Sequence, residues 1–331
     1  MKKIFIAIVA LAAATACSND ELVSVNREAI GFDNAFVNNA VRSVVDPSYT
    51  TESLKDDGFS VYGTVTGTTT SRLFDNKSVT WDSSLNKYTY TGTQYWINGA
   101  SYAFAAVAPA SKTASGATYA DDSNTVTIEG YVNDGTDLLY SSATASVAAD
   151  AVNYNTPVAF NFKHALSKVK FSFENAYNAD NTTIKVHSIA ITNTYETGKV
   201  VLAPNADPVW ADQGSATLDL NFGNAVADDA TSTEALAYAF GTTWESYYEH
   251  LLIPGEQTLN VTFQYDILVG NSTINTFTVT PAVNITLEPG HAYDFKATIA
   301  PGQPIEFTVT SIGGWDTDHN GDGVANDDLN M

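Results

Sequence analysis

The chain has 331 residues, is 44% hydrophobic and 11% aromatic, and carries a formal net charge of -22. That apolar content excludes wholesale disorder, and the charge excludes nucleic acid as a partner and anionic lipid as a purely electrostatic anchor. The length beyond a leader accommodates two domains, each large enough for its own core.

At the amino terminus, Lys2 and Lys3 precede an apolar run from Ile4 to Ala14, and small residues lead into Cys17, the sole cysteine. This is the layout of a secretory signal. The run is shorter than the ~20 apolar residues that span a bilayer. A lone cysteine in an exported protein cannot close an internal disulfide, and an exposed thiol is a liability in an oxidising compartment. Ala14-Thr15-Ala16-Cys17 looks like a bacterial lipobox. On that reading residues 1–16 are a lipoprotein signal peptide, and acyl chains such as palmitate are attached to Cys17. At about 0.8 kcal/mol per buried methylene, several chains on one residue anchor stably. "SNDE" after Cys17 resembles the tag that directs some Gram-negative lipoproteins to the outer face of the outer membrane, and residues 17–28 form a tether. Loss of Lys2 and Lys3 with the leader takes the formal charge to about -24.

Beyond the tether the pattern has period two, which predicts half-buried strands. It is clearest in "LNVTFQYDI", where Leu259, Val261, Phe263, Tyr265 and Ile267 face one way. The same alternation occurs in "VKFSF" (Val169, Phe171, Phe173), "AYDFKATI" (Tyr293, Phe295, Ala297, Ile299) and "IEFTV" (Ile305, Phe307, Val309). Earlier strands are expected in "AIGF", "FSVYGTV", "KYTY", "YAFAAV", "NTVTIEG" and "VAFNF", with turns such as "PGEQ" and "EPGH" between later ones. That cadence indicates an all-β chain of antiparallel sandwiches. Thr233 to Leu252 reads equally as a helix with a turn or as two short strands. One strand ends near Phe162 and the next starts near Lys168, so the expected domains are 29–164 and 165–315, followed by an acidic tail, 316–331.

The order of these segments resembles the fimbrillin-like proteins, which build pili (type V) on Gram-negative gut and oral bacteria. The residues that carry the resemblance are the lipobox, "AIGFDNAF" with Arg42 after it, "FSVYG", "LFDN", "YWINGASYAFAAVAP", "DLLYSSAT" leading into "VAFNFKHALSKVKFSFEN", "LLIPGEQTLNVTFQY", "LEPGHAYDFKATI" and "IEFTVTSIGGWD". The resemblance implies two tandem transthyretin-like β-sandwich domains, lipoprotein export, and assembly with other fimbrial subunits by protease-triggered donor-strand exchange. An arginine-specific protease cuts beyond the first strand, that strand leaves, and a strand of the next subunit fills its groove. Open backbone groups would give affinity and alternate side chains would give register. The donor-replaced strand is then about Ala29 to Phe36, with Ile30, Phe32 and Phe36 as its apolar residues, and the cut follows Arg42, with Arg27 as the alternative. Before processing, the lipid on Cys17 holds the chain at the outer membrane; afterwards it resides at the cell surface or in a fimbrium.

The residues after Trp315, "DTDHNGDGVANDDLNM", lack the alternation of a donor strand, which favours a tip or accessory position over the main stalk. From Asp316, oxygen-bearing residues recur at loop positions 1, 3, 5 and 7 (Asp316, Asp318, Asn320, Asp322), with Gly321 at 6 and Asp327 at 12. This spacing is that of an EF-hand-like Ca²⁺ loop, although Asp replaces the longer bidentate Glu at the last position; such a site would bind with Kd on the order of 10⁻⁴ to 10⁻³ M. A solvated acidic tail is the competing reading, and no cofactor is required.

Five histidines, His164, His187, His250, His291 and His319, fall in no metal-ligand spacing, and neither a phosphate loop nor a GxSxG elbow occurs, so the chain is not expected to be an enzyme. His164 in "FKHALSK" is expected to pack or hydrogen-bond at the domain junction. Trp244, Tyr247 and Tyr248 in "WESYYEH" are candidate platform residues for a host glycan or protein ligand, whereas Trp81 and Trp96 are expected in packing roles. The alternative to a fimbrial subunit is a monomeric surface lipoprotein that binds such a ligand.

Overall fold

The computed structural model of the protein describes residues 25–32, 34–37, 50–114, 116–177, 182–221, 238–240, 245–270 and 272–314. In chain order its elements are β1 (Val25–Ala29), β2 (Asn34–Val37), α1 (Thr51–Asp57), β3 (Phe59–Thr66), β4 (Thr70–Asp82), β5 (Lys87–Thr89), β6 (Tyr95–Ile97), β7 (Ser101–Ala108), β8 (Ala117–Ala120), β9 (Thr125–Val132) and β10 (Leu139–Ser146). There follow β11 (Ala159–His164), β12 (Ser167–Asn175), β13 (Thr182–Leu202), β14 (Val209–Asn221), β15 (Tyr238–Phe240), β16 (Glu245–Leu252), β17 (Gly255–Val269), β18 (Ser272–Val279), β19 (Ala282–Leu287), β20 (His291–Ile299) and β21 (Phe307–Gly314). The all-β expectation holds. Thr233–Leu252 resolves in favour of strands, β15 and β16, over its described part.

Helix α1 had no signature long enough to read from the sequence. Its start is a reciprocal cap: Ser53 N–H donates to Thr50 Oγ1 (3.1 Å) and Thr50 N–H donates to Ser53 Oγ (3.2 Å). Gly58 ends it with φ 65°, where an added Cβ would lie 2.4 Å from the Val79 carbonyl oxygen, so only glycine fits. The helix buries Leu54 against the first core.

A seven-stranded sheet runs β2-β11-β10-β7-β3-β4-β5, with β1 and β6 forming a separate pair. They enclose the first core, built on Phe32, Phe59, Phe74, Trp96, Phe104, Phe160 and Phe162. A four-stranded sheet, β16-β12-β20-β21, and an eight-stranded sheet, β18-β17-β13-β9-β8 with β14 and β15 on β13 and β19 on β17, enclose the second. Here Val169, Phe171, Phe173, Leu259, Val261, Phe263, Tyr293, Phe295 and Ile299 are buried, as their alternation predicts. Each such side chain contributes about 1.5–3 kcal/mol on leaving water.

Strand β13 is 21 residues long and joins the two halves of the chain. Its first part pairs β17 from Thr182 to Thr192, and its last part pairs β9 from Thr197 to Leu202. The β8–β9 hairpin thus adds to a sheet dominated by strands from beyond residue 164. A third apolar cluster draws on both sides, with Tyr62, Val126, Ile128 and Leu138 packed among Val200, Leu202, Leu251 and Ile253.

Strand β12 departs from the half-buried expectation, as β3 does over Phe59 to Thr64. In β12 the polar residues Lys168, Lys170 and Ser172 are buried as well as Val169, Phe171 and Phe173. The polar face is compensated by Asp294 of β20, which accepts from Ser172 Oγ (2.7 Å) and lies 3.8 Å from Lys170 Nζ and 3.5 Å from Lys296 Nζ. A buried carboxylate with these partners keeps its charge neutralised locally.

On the neighbouring β16, burial holds the His250 imidazole down to a pKa of about 4 from an ordinary 6.5. The folded state therefore binds fewer protons than the unfolded state between those values, and stability falls as pH drops through that window. Between pH 6.5 and 5 the native chain should lose about 1–2 kcal/mol more than a His250→Asn variant in parallel urea denaturation series. Identical slopes for the two chains would show that His250 titrates normally.

Candidate functional site

The amino-terminal strands meet two different sheets. Strand β1 runs antiparallel to β6, pairing Val25 with Ile97 and Ala29 with Tyr95. Strand β2 runs parallel to β11, pairing Asn34 through Val37 with Ala159 through Phe162. The crossing between them is tied by backbone: Ile30 N–H donates to the Gln94 carbonyl (2.9 Å), and Val158 N–H donates to the Gly31 carbonyl (2.8 Å). Tyr90 OH donates to the Ile30 carbonyl (2.8 Å), and Val37 N–H to Thr51 Oγ1 (3.2 Å). β2 lies at the end of the seven-stranded sheet, so among the described residues its strand partner there is β11.

The expected single strand from Ala29 to Phe36 is thus two short strands, and its side-chain alternation changes phase between them. Ile30 and Phe32 are 1% and 0% exposed, as expected, but the buried residues of β2 are Ala35 and Val37, while Phe36 is 45% exposed. β1 ends at Ala29 on one sheet and β2 begins at Asn34 on another, and the phase differs between the two.

Phe32 is the centre of the first core. Its ring lies 5.5 Å from those of Phe74 and Tyr90, 5.7 Å from Phe160 in a stacked arrangement, 6.2 Å from Phe104 and 6.3 Å from Phe59. These are edge-to-face, tilted and offset geometries that aromatic quadrupoles favour. A segment at a sheet end therefore sets a fully buried ring among five others of the core. Removing it would open a groove floored by five aromatic rings and walled by the free edges of β6 and β11.

The junction expected around His164 is present and is built of hydrogen bonds. His164, closing β11, bonds through Nδ1 to Asp137 Oδ2; both side chains are fully buried, and Asp137 Oδ1 accepts from Leu138 N–H at 2.8 Å. Around it Trp210 Nε1 donates to the Ala165 carbonyl (3.0 Å), Asn133 Nδ2 to the Leu251 carbonyl (2.7 Å) and Tyr140 OH to the Ala206 carbonyl (3.0 Å). A His–Asp pair sealed from solvent orders the chain and offers nothing to a substrate. Asp137 was missed from sequence, because "DGTD" between strands reads as an ordinary turn.

Cys17, Arg42, Trp244 and the tail residues Asp316, Asp318, Asn320, Asp322 and Asp327 lie outside the described residues. Arg27 lies within β1, and Tyr247 and Tyr248 within β16, where Tyr247 pairs with Phe171. Of the first-half aromatics, Trp96 is fully buried and Trp81 packs against the core, in the structural roles expected for them. Among the described residues, no group of three or more His, Cys, Asp or Glu side chains is arranged to hold a metal ion.

The fimbrillin-like family matches residues 48–315. The chain belongs to that family. Membership makes the chain a fimbrial-type subunit, with the cell-surface setting that goes with one. Among solved structures, a fimbrial protein from Bacteroides vulgatus ATCC 8482 is similar at 22% identity, with 87% of this chain and 100% of that one covered and a TM-score of 0.58. It establishes a shared fold. A candidate cell adhesion protein from Bacteroides uniformis ATCC 8492 is similar at 17% identity over 87% of this chain and 98% of that one, with a TM-score of 0.47. A comparison with curated proteins found no match.

Proposed function

We propose that this fimbrillin-like chain is exported as an outer-membrane lipoprotein through Cys17 and assembles with other fimbrial subunits by donor-strand exchange, in a tip or accessory position. The observation that carries the reading is Phe32, which is fully buried at the centre of the core yet borne on a segment at the end of a sheet. The family match begins at residue 48, past this segment, so the contacts of Phe32 are what support its role. The segment from β1 through β2 is the element to be replaced. An incoming strand must offer one large ring for the Phe32 pocket, smaller apolar groups for those of Ile30, Ala35 and Val37, and backbone groups for β11.

Cleavage after Arg42 would disconnect β1 and β2 from α1 together with the lipid. Cleavage after Arg27 would instead cut within β1, whose backbone is paired with β6, and paired backbone is a poor protease substrate. The acidic tail is proposed as a weak Ca²⁺ loop through Asp316, Asp318, Asn320, Asp322 and Asp327, ordering the terminus without chemistry.

The test is limited digestion of the acyl-free chain with an arginine-specific protease, with new termini read by mass spectrometry. The expected product begins at Ser43, and after mild denaturant has stripped the old strand it takes up a synthetic peptide of residues 25–41. A folded chain that resists cutting at Arg42, or a cut chain that refuses the peptide, would sink strand replacement at this site.

A further inference from the structure

Strand β18 is the outer strand of the eight-stranded sheet and, among the described residues, pairs only with β17. None of its residues is buried: Ser272 through Thr278 are exposed, and Val279 is intermediate. It is nonetheless held in place. Phe277 stacks on Tyr265 with ring centroids 5.3 Å apart and planes at 21°, and Thr276 Oγ1 donates to Asp266 Oδ1 at 2.5 Å. The pairing slips between Ile267 and Leu268, which leaves Ile274 as the extra residue of a bulge, 60% exposed. Between that bulge and Pro281 lies a regular stretch, Asn275–Val279, whose outer backbone groups face no strand among the described residues.

We propose that this stretch is a self-association edge, where a second copy of the chain adds its own β18 antiparallel to form a continuous sheet. Charge selects the occupant. The chain has 37 acidic against 15 basic residues, so two copies repel over most of their surfaces, yet "STINTFTV" contains no charged side chain. A basic partner would be drawn to the acidic surfaces and gain nothing here; an acidic strand would meet no cation. A neutral strand is what fits, and β18 is itself one.

The side chains are also self-complementary. A two-fold axis perpendicular to the sheet keeps each face on its own side. Centred on Phe277, it sets that ring opposite its own copy, Thr276 opposite Thr278, and Asn275 opposite Val279. Aromatic–aromatic and Thr–Thr pairs are among the favourable cross-strand combinations, and no like charges meet in this register. Natural edges are usually blocked by lysine, proline or an inward charge. Here the bulge and Pro281 block only the two ends. Because β18 packs on the second core and the proposed strand exchange uses the first, this contact is lateral, and its success or failure is independent of that exchange.

The test uses the mature chain with Cys17→Ser, which has no other cysteine. Sedimentation should show a dimer that grows with concentration, and Thr278→Lys, at an exposed position, should weaken association at least tenfold with an unchanged melting curve. Mixing Thr276→Cys chains with Thr278→Cys chains under mild oxidation should give a disulfide-linked dimer in several-fold higher yield than either alone, since those positions face each other. A chain that stays monomeric to millimolar concentration, a dimer indifferent to Thr278→Lys, or equal cross-linking of mixed and unmixed variants would each overturn the proposal.

Discussion

Replacing Phe32 by alanine is expected to lower the free energy of unfolding by about 3–5 kcal/mol, the cost of deleting a fully buried ring whose neighbours cannot close the space. The neighbours in question are Phe59, Phe74, Tyr90, Phe104 and Phe160, each fixed on a different strand or loop. Collapse of the cavity would require several elements to move together, which a close-packed interior resists. Against a total stability of roughly 5–15 kcal/mol, such a loss leaves a chain that melts far lower or fails to fold at 37 °C. Phe36→Ala is the control: two residues from Asn34, of the same chemical type but 45% exposed, it should change stability by less than about 0.5 kcal/mol. Urea titrations of the three chains decide the matter, and similar midpoints for Phe32→Ala and the native chain would mean that the segment is not seated in the core. That outcome would also remove the physical basis of strand replacement, because a strand that stabilises nothing leaves no groove in need of a substitute.

The second large effect is expected at the junction. Asp137→Ala removes the carboxylate that bonds His164 Nδ1 and accepts from Leu138 N–H, in a place with no exposed side-chain surface. Deleting one member of a buried polar pair costs about 3–5 kcal/mol, since what is left behind stays desolvated without its partner. Replacing both members by apolar residues of similar volume should cost much less than the sum of the single changes. A double-mutant cycle with Asp137→Leu and His164→Leu reads this directly, with a coupling energy above about 1 kcal/mol expected. Additive single effects would show that the two side chains contribute separately and that the junction is held by its apolar cluster and backbone bonds instead.

These two sites divide differently between sequence and structure. The apolar alternation that defines the second core was legible because its strands have one face inward over many residues, as in Leu259 to Ile267 and Tyr293 to Ile299. The burial of Ile30 and Phe32 was legible for the same reason. The exposure of Phe36 was not legible, because β1 and β2 pair with different sheets and a change of partner strand resets which side chains face in. No local signal marks that event. Likewise the buried face of β12 carries Lys170, which looks like a solvent-facing residue until Asp294, more than a hundred positions later, is brought alongside.

By itself, the sequence determined the class of this protein: an acidic, all-β chain that matches the fimbrillin-like family. Hydrophobic period and turn chemistry are local properties, and they are written residue by residue. Tertiary structure alone decided that β1 and β2 bridge two sheets, that Phe32 centres the first core, that Asp137 holds His164, and that β18 is the outer strand of its sheet among the described residues. Each of these depends on which distant strands become neighbours, and pairing between strands is a free-energy comparison over the whole chain that no short stretch of residues contains.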